Sequence, residues 1–162
     1  MSYSSIRDLV VSTLTSVSSD IGTIHPRVRY SNNWTSFLAL FQHEMSDGSG
    51  PRIKGWMVTR TANAPDIPSS SFGSTTRTYV FLLRGILAFH DGSELYNSDD
   101  EWQEDLDLIV SALDDLRDLT SADGSVVIES GGPCTVRTSE LRMFGQILAH
   151  YGEIEFPLQV HE

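Results

Sequence analysis

Arg77-Thr-Tyr-Val-Phe-Leu-Leu-Arg-Gly-Ile-Leu-Ala-Phe-His90 is the stretch on which the fold turns. Tyr79, Phe81, Leu83, Leu87 and Phe89 fall on one side of an extended chain, and Val80, Leu82, Ile86 and Ala88 on the other. A strand apolar on both sides is a central strand, covered from above and below. Arg84 interrupts one face, and Gly85 marks a bulge or a close approach of other atoms.

The elements around it follow from periodicity. Upstream, residues 52–61 read as a second strand, and 62–76 as a long loop with two prolines and many hydroxyls. Loops of that length inside a domain are uncommon and tend to be functional. Ile67 and Phe72 sit in it, either anchoring it on its own domain or awaiting a partner. Further upstream, Ile6, Val10, Leu14 and Val17 predict a helix over 5–17, and 24–30 a short strand near an edge because of Pro26. Trp34, Phe37, Leu38, Phe41 and Met45 predict a helix over 34–45, capped by Asn32 or Asn33. Downstream, Trp102, Leu106, Ile109, Leu113 and Leu116 mark one stripe of a long helix within 93–119. Val126–Ile128 and 135–144 read as strands, and 146–160 as another, with Pro157 arguing for an edge or a bend. The order implies one domain over 1–162 of α+β (two-layer α/β) class. Its sheet is mixed and mostly antiparallel, with two or three packed helices and the long loop at 62–76.

Composition narrows the function. The 162 residues are 40% hydrophobic, enough for a core, and no run approaches the ~20 apolar residues of a membrane helix. The net charge is −11, which opposes nucleic-acid and anionic-membrane binding. Residues 94–118 hold ten acids against Arg117 alone and so carry −9 of it. Asp99, Asp100, Glu101, Glu104, Asp105 and Asp107 read as a solvated acidic helix face; the run has no glycine turn of the kind calcium loops use. Ten of the eleven basic residues are Arg, which favours Arg–carboxylate self-association or ordinary surface pairing. The single cysteine, Cys134, allows no intrachain disulfide and no cysteine zinc site. The first residues lack a basic start followed by an apolar run, so the expectation is a chain made and used in a cytoplasm.

Catalytic signatures are missing: there is no G-x-G-x-x-G, phosphate loop, H-E-x-x-H or G-x-S-x-G. That absence lowers the odds of an enzyme without excluding one, and the residues themselves point to no catalytic residue, metal or cofactor. The rival is a small α/β enzyme or ligand-binding domain with a pocket near His90 and Asp91. His150 reads as a core histidine, His43 as a surface or interface residue, and Trp34, Trp56 and Trp102 as core.

Three further stretches carry a resemblance. Val28-Arg-Tyr-Ser-Asn-Asn-Trp34-Thr-Ser-Phe-Leu-Ala-Leu-Phe41, Lys54-Gly-Trp-Met-Val-Thr-Arg60-Thr and Glu140-Leu-Arg-Met-Phe-Gly145-Gln-Ile-Leu-Ala-His150-Tyr-Gly-Glu-Ile follow an opening helix. Together they resemble the tail terminator (tail completion) proteins of long-tailed bacteriophages. The resemblance implies a structural virion protein of the neck, not an enzyme, assembled in the host bacterial cytoplasm. It implies a homo-oligomeric ring, usually a hexamer, whose partners are the tail tube protein and a head-completion or connector protein. DNA would pass through it without specific binding. Another neck or minor tail component is the alternative within the same machinery. Arg29 and Arg60 match recurring positions and are expected at interfaces with a neighbouring subunit or the tail tube, as are Ile67 and Phe72. Deleting the tip of loop 62–76 is expected to leave the fold and block the joining of tails.

Overall fold

The structure of the protein is a computed structural model and describes residues 3–63, 67–68, 75–93, 96–116, 119–120 and 127–161. In chain order it has α1 (Tyr3–Val17), β1 (Thr23–His25), α2 (Trp34–Ala39), β2 (Gln42–Glu44), β3 (Pro51–Asn63), β4 (Ile67–Pro68) and β5 (Thr75–Ala88). Then follow β6 (Asp91–Ser93), β7 (Tyr96–Asn97), α3 (Ser98–Asp114), β8 (Leu119–Thr120), β9 (Val127–Ser130), β10 (Thr135–Phe144) and β11 (Ile147–His161).

β5 is central, as its two apolar faces predict, and runs antiparallel to β3 on one side and β11 on the other. The outer edge of β3 carries β1 in parallel and β2 antiparallel. The outer edge of β11 carries β10 and then β9, to which β8 pairs. β4 pairs with the start of β5, and β6 with β7 in a separate ribbon. The result is a mixed, mostly antiparallel sheet in an α+β domain.

Alternation sends Trp56, Val58, Phe81, Leu83, Ile154, Phe156 and Leu158 to one face, where they meet α1 and α3. Ile6, Val10 and Leu14 lie on the buried stripe of α1, and Trp102, Leu106, Ile109 and Leu113 on that of α3. Each such side chain contributes about 1.5–3 kcal/mol when fully buried. The other face holds a smaller core of Leu38, Phe41, Met57, Ile86, Phe144, Ala149 and Tyr151 under α2.

Four expectations need correction. The helix expected over 34–45 ends at Ala39. Leu40 and Phe41 donate three residues back, to Phe37 and Leu38, which closes the helix. The Phe41 carbonyl then accepts from Lys54 N–H at 2.8 Å, so pairing with β3 outcompetes another turn. The helix expected within 93–119 starts only at Ser98, capped by Asn97, whose Oδ1 accepts from Asp99 N–H at 2.9 Å. The loop expected over 62–76 is shorter, because Ala62 and Asn63 extend β3, Ile67 and Pro68 pair with Thr76 and Thr75, and β5 begins at Thr75. Residues 64–66 and 69–74 lie outside the described residues. Finally, β11 is not an edge despite Pro157. That proline sits where β10 pairing stops at Glu155 and β9 pairing starts at Leu158. Its carbonyl accepts from Gly131 N–H at 2.9 Å, so its missing donor falls on the junction between two neighbours.

Candidate assembly surfaces

Lys54 is the only lysine of the chain and projects from β3 toward α3. Its Nζ lies 2.7 Å from Glu101 Oε1 and 2.8 Å from Asp105 Oδ2, and Arg52 reaches the other oxygen of Glu101 at 3.1 Å. The spacing of four residues stacks Glu101 and Asp105 on one side of α3, the side facing β3. Asp105 is 6% exposed. This corrects its assignment to the acidic surface: it shares the buried side with Trp102, Leu106 and Ile109. Burial pushes its carboxyl up to about 6, against the pull of Lys54. Glu101 is half-buried, whereas Asp99, Asp100, Glu104 and Asp107 are exposed as expected.

β10 and β11 form a long hairpin closed by Gly145 and Gln146 between Phe144 and Ile147. Gly145 has φ +67°, the left-handed first position such a two-residue turn requires. A Cβ at Gly145 would stand 2.9 Å from Trp34 Cδ1, so the hairpin tip lies directly against that ring. Trp34 is not core: it is 52% exposed and meets Phe37 and Phe144 edge-on. Beside it opens a cavity of about 700 Å³ lined by Leu38, Pro51, Ile53, Phe144 and Ile147.

The outer edge of β10 has no strand partner among the described residues. On the sheet face that carries α2, its charged side chains are engaged: Arg137 with Glu155 at 2.6 Å, and Arg142 with Glu140 and over the ring of Tyr151. Tyr151 in turn donates to Glu153 at 2.7 Å, and Arg84 donates to the same oxygen at 3.1 Å. These bonds hold the Glu153 carboxyl below its ordinary range. On the opposite face Val136, Leu141 and Met143 project with 42–56% exposure.

The interface residues expected from sequence do not converge. Arg29 is half-buried, with its backbone N–H on Met57 Sδ at 3.3 Å. Arg60 is exposed but lies over the rings of Tyr3 at 4.7 Å and Tyr79 at 5.7 Å, so its own chain already engages its guanidinium. Ile67 is placed in β4 opposite Thr76, and Phe72 lies outside the described residues. Lys54 and the β10 edge escaped the sequence reading. The signal for Lys54 was a lone lysine in alternation with Trp56 and Val58.

The other candidates for chemistry resolve as structure. His150 is buried, as expected, with Nε2 3.1 Å from Ser98 Oγ, which itself accepts from His90 N–H at 3.0 Å. The Ser98 hydroxyl and His150 Nε2 share this hydrogen bond, and burial lowers the tendency of that ring to protonate. The His90 side chain is exposed, and that of Asp91 lies outside the described residues. His43 lies on β2 and not on a helix, with Nε2 3.0 Å from Ser19 O. The Cys134 thiol is held well above its ordinary range by burial and by Asp114. Among the described residues no three His, Cys, Asp or Glu side chains are grouped to hold a metal, and no helix is long and apolar enough to cross a membrane. No family model matches the sequence, and no curated protein matches it. The molecule is an α+β domain whose described residues present three surfaces: a strand edge unpaired among them, an aromatic ledge and an acidic helix face.

Proposed function

We propose that the protein is a structural component of a bacteriophage tail neck, a tail terminator that closes into a ring, ends tube growth and presents a surface to the head. The observation that carries this reading is the open edge of β10. Among the described residues the ten-residue strand β10 pairs on one side only, with Val136, Leu141 and Met143 exposed beside its other edge. Proteins that remain monomeric blunt such edges with short strands, inward charges or covering loops, because an open edge is a template for another chain. Here the charges of β10 are paired away on one face and the apolar residues are left on the other. The acidic outer side of α3 adds a field that repels DNA phosphates, suiting a channel that DNA traverses without binding. The resemblance of the Val28–Phe41, Lys54–Thr61 and Glu140–Ile154 stretches to tail terminators supports reading that assembly as part of a phage neck.

Light scattering and negative-stain imaging of the purified chain, alone and mixed with phage tail tubes, test the proposal. Rings with a hole wide enough for duplex DNA, or caps on tube ends, are expected. A chain that neither forms rings nor caps tubes is not a tail terminator.

A further inference from the structure

After β1 the chain bends at Pro26 and runs without regular structure through Arg27-Val-Arg-Tyr30. Val28 is 52% and Tyr30 84% exposed. Among the described residues the side chains of Arg27 and Arg29 make no ion pair, whereas Arg7, Arg52, Lys54, Arg84, Arg137 and Arg142 all do. The arm thus alternates guanidinium groups with no carboxylate partner among the described residues, exposed Arg27 and half-buried Arg29, with exposed apolar groups, and Tyr and Arg are the side chains that most often dominate protein interfaces.

A groove of about 480 Å³ has the converse character. It lies between α3, the end of α1 and the β2–β3 turn; Arg52 and Lys54 line it but are paired with Glu101, and its rim includes Asp20, Asp47, Asp100 and Glu104 around Met45 and Leu108. Asp100 and Glu104 are exposed and hold no cation among the described residues, and Leu108 is 46% exposed. Buried Asp105 also lines it, with Oδ2 held by Lys54 Nζ at 2.8 Å.

The arm cannot fill the groove of its own subunit. Tyr30 lines a cavity with Met57, Arg84 and Tyr151 on the α2 face of the sheet, while α3 lies on the other face. We infer that the Arg27–Tyr30 arm of one subunit docks in the α3 groove of a second copy of this chain, Arg27 and Arg29 meeting Asp100 and Glu104 while Val28 and Tyr30 cover Leu108 and Met45. The two halves are different patches of one surface, so the contact is head-to-tail and closes a ring where the rotation permits. The inference rests on the ring reading above and adds to the β10 edge a second, charge-matched subunit contact.

The test is a charge exchange on the full chain. R27E/R29E reverses the arm, and D100R/E104R reverses the groove rim. Light scattering is expected to show association of the native chain. Each variant should associate at least about tenfold more weakly, with circular dichroism unchanged. An equimolar mixture of the two variants should recover the native mass, because each arm then meets a groove of opposite sign. About 0.5 M NaCl, where screening acts within about 4 Å, should weaken the native assembly. A native chain that stays monomeric as concentration rises overturns the inference, as does an assembly indifferent to either reversal. Loss on groove reversal alone means that another part of the chain, and not this arm, occupies the groove, and also overturns it. Tail-tube capping that survives both reversals removes this contact and leaves the tail reading standing. Rings that obey the charge exchange but never cap tubes do the opposite.

Discussion

The indole of Trp56 lies parallel to that of Trp102, with 5.2 Å between centroids and 4° between planes. Beneath the pair, Trp56 is in register with Gly85, Gly85 with Gly152, and Gly152 with Ser139, a row across four strands. The two glycines make the slot that the rings fill. Trp56 donates to Ile21 O at 2.9 Å and Trp102 to Ser139 Oγ at 3.0 Å, so both indoles are pinned at their polar ends.

Replacing Gly85 by alanine should therefore be costly. A Cβ there would stand 2.2 Å from Trp56 Cζ3, and the ring has no room to retreat past Trp102. The expected loss is about 1–3 kcal/mol from overpacking, read as a lower midpoint in urea with an unchanged slope. A variant as stable as the native chain would mean that the slot can widen.

The same row shows what the sequence discloses and what it hides. The apolar alternation of β5 and the stripes of α1 and α3 are local signals, and they placed the main layers correctly. Gly85 was legible as a close approach, but not that the approaching group is Trp56. The helical spacing from Trp34 to Met45 was real, yet a backbone bond from Lys54 to Phe41 stops the helix after Ala39. Asp105 is indistinguishable from its acidic neighbours until α3 is laid against Lys54. Trp34 reads as core until the hairpin tip at Gly145 is seen to support only one side of it. In each case the deciding partner is distant in sequence.

Asp105 predicts a pH dependence with a definite sign. Its carboxyl titrates near 6 in the fold against an ordinary 3.8, so the folded state binds more protons between those values. Stability contributed by this group is highest below about pH 4 and falls as pH rises to about 6, by an amount on the order of 2–3 kcal/mol. His150 acts in the opposite sense below its ordinary 6.5, since burial disfavours its protonation in the fold. D105N should remove the Asp105 share, so that its stability gains relative to the native chain as pH is raised from 4 to 6. Parallel stability–pH curves for the two proteins would show that Lys54 keeps the carboxyl ionised throughout.

Lys54 should be less replaceable than Asp105. K54M leaves Asp105 buried with its cation gone and frees Glu101 to Arg52 alone. Breaking a buried pair from one side costs about 3–5 kcal/mol. Denaturant unfolding at pH 7 checks this, and the double variant K54M/D105L should regain much of the loss. A double variant no better than K54M would place the cost in packing and not in the orphaned charge.

The Cys134 thiol should be slow toward thiol reagents. Burial and the neighbouring Asp114 both disfavour the thiolate, which is the reactive form. Labelling of the native chain at pH 8 should proceed well over tenfold more slowly than labelling of the urea-unfolded chain. Equal rates would require an opening of the segment around Cys134, where its backbone N–H is now held by Asp114 at 2.7 Å.

The open edge of β10 gives the prediction nearest to function. Leu141 and Met143 are among the most exposed apolar side chains of the sheet and bury little within the subunit. Placing lysines at both positions repeats the device by which monomers guard an edge. Because surface changes away from packed contacts shift stability by about 0.5 kcal/mol or less, L141K/M143K should melt with the native chain. It should nonetheless fail to cap tail tubes in the negative-stain assay. The pairs Arg137–Glu155 and Arg142–Glu140 lie on the other face and stay intact, so the hairpin keeps its shape. Full capping by this variant would move the assembly surface away from β10, to the Trp34 ledge or the α3 face.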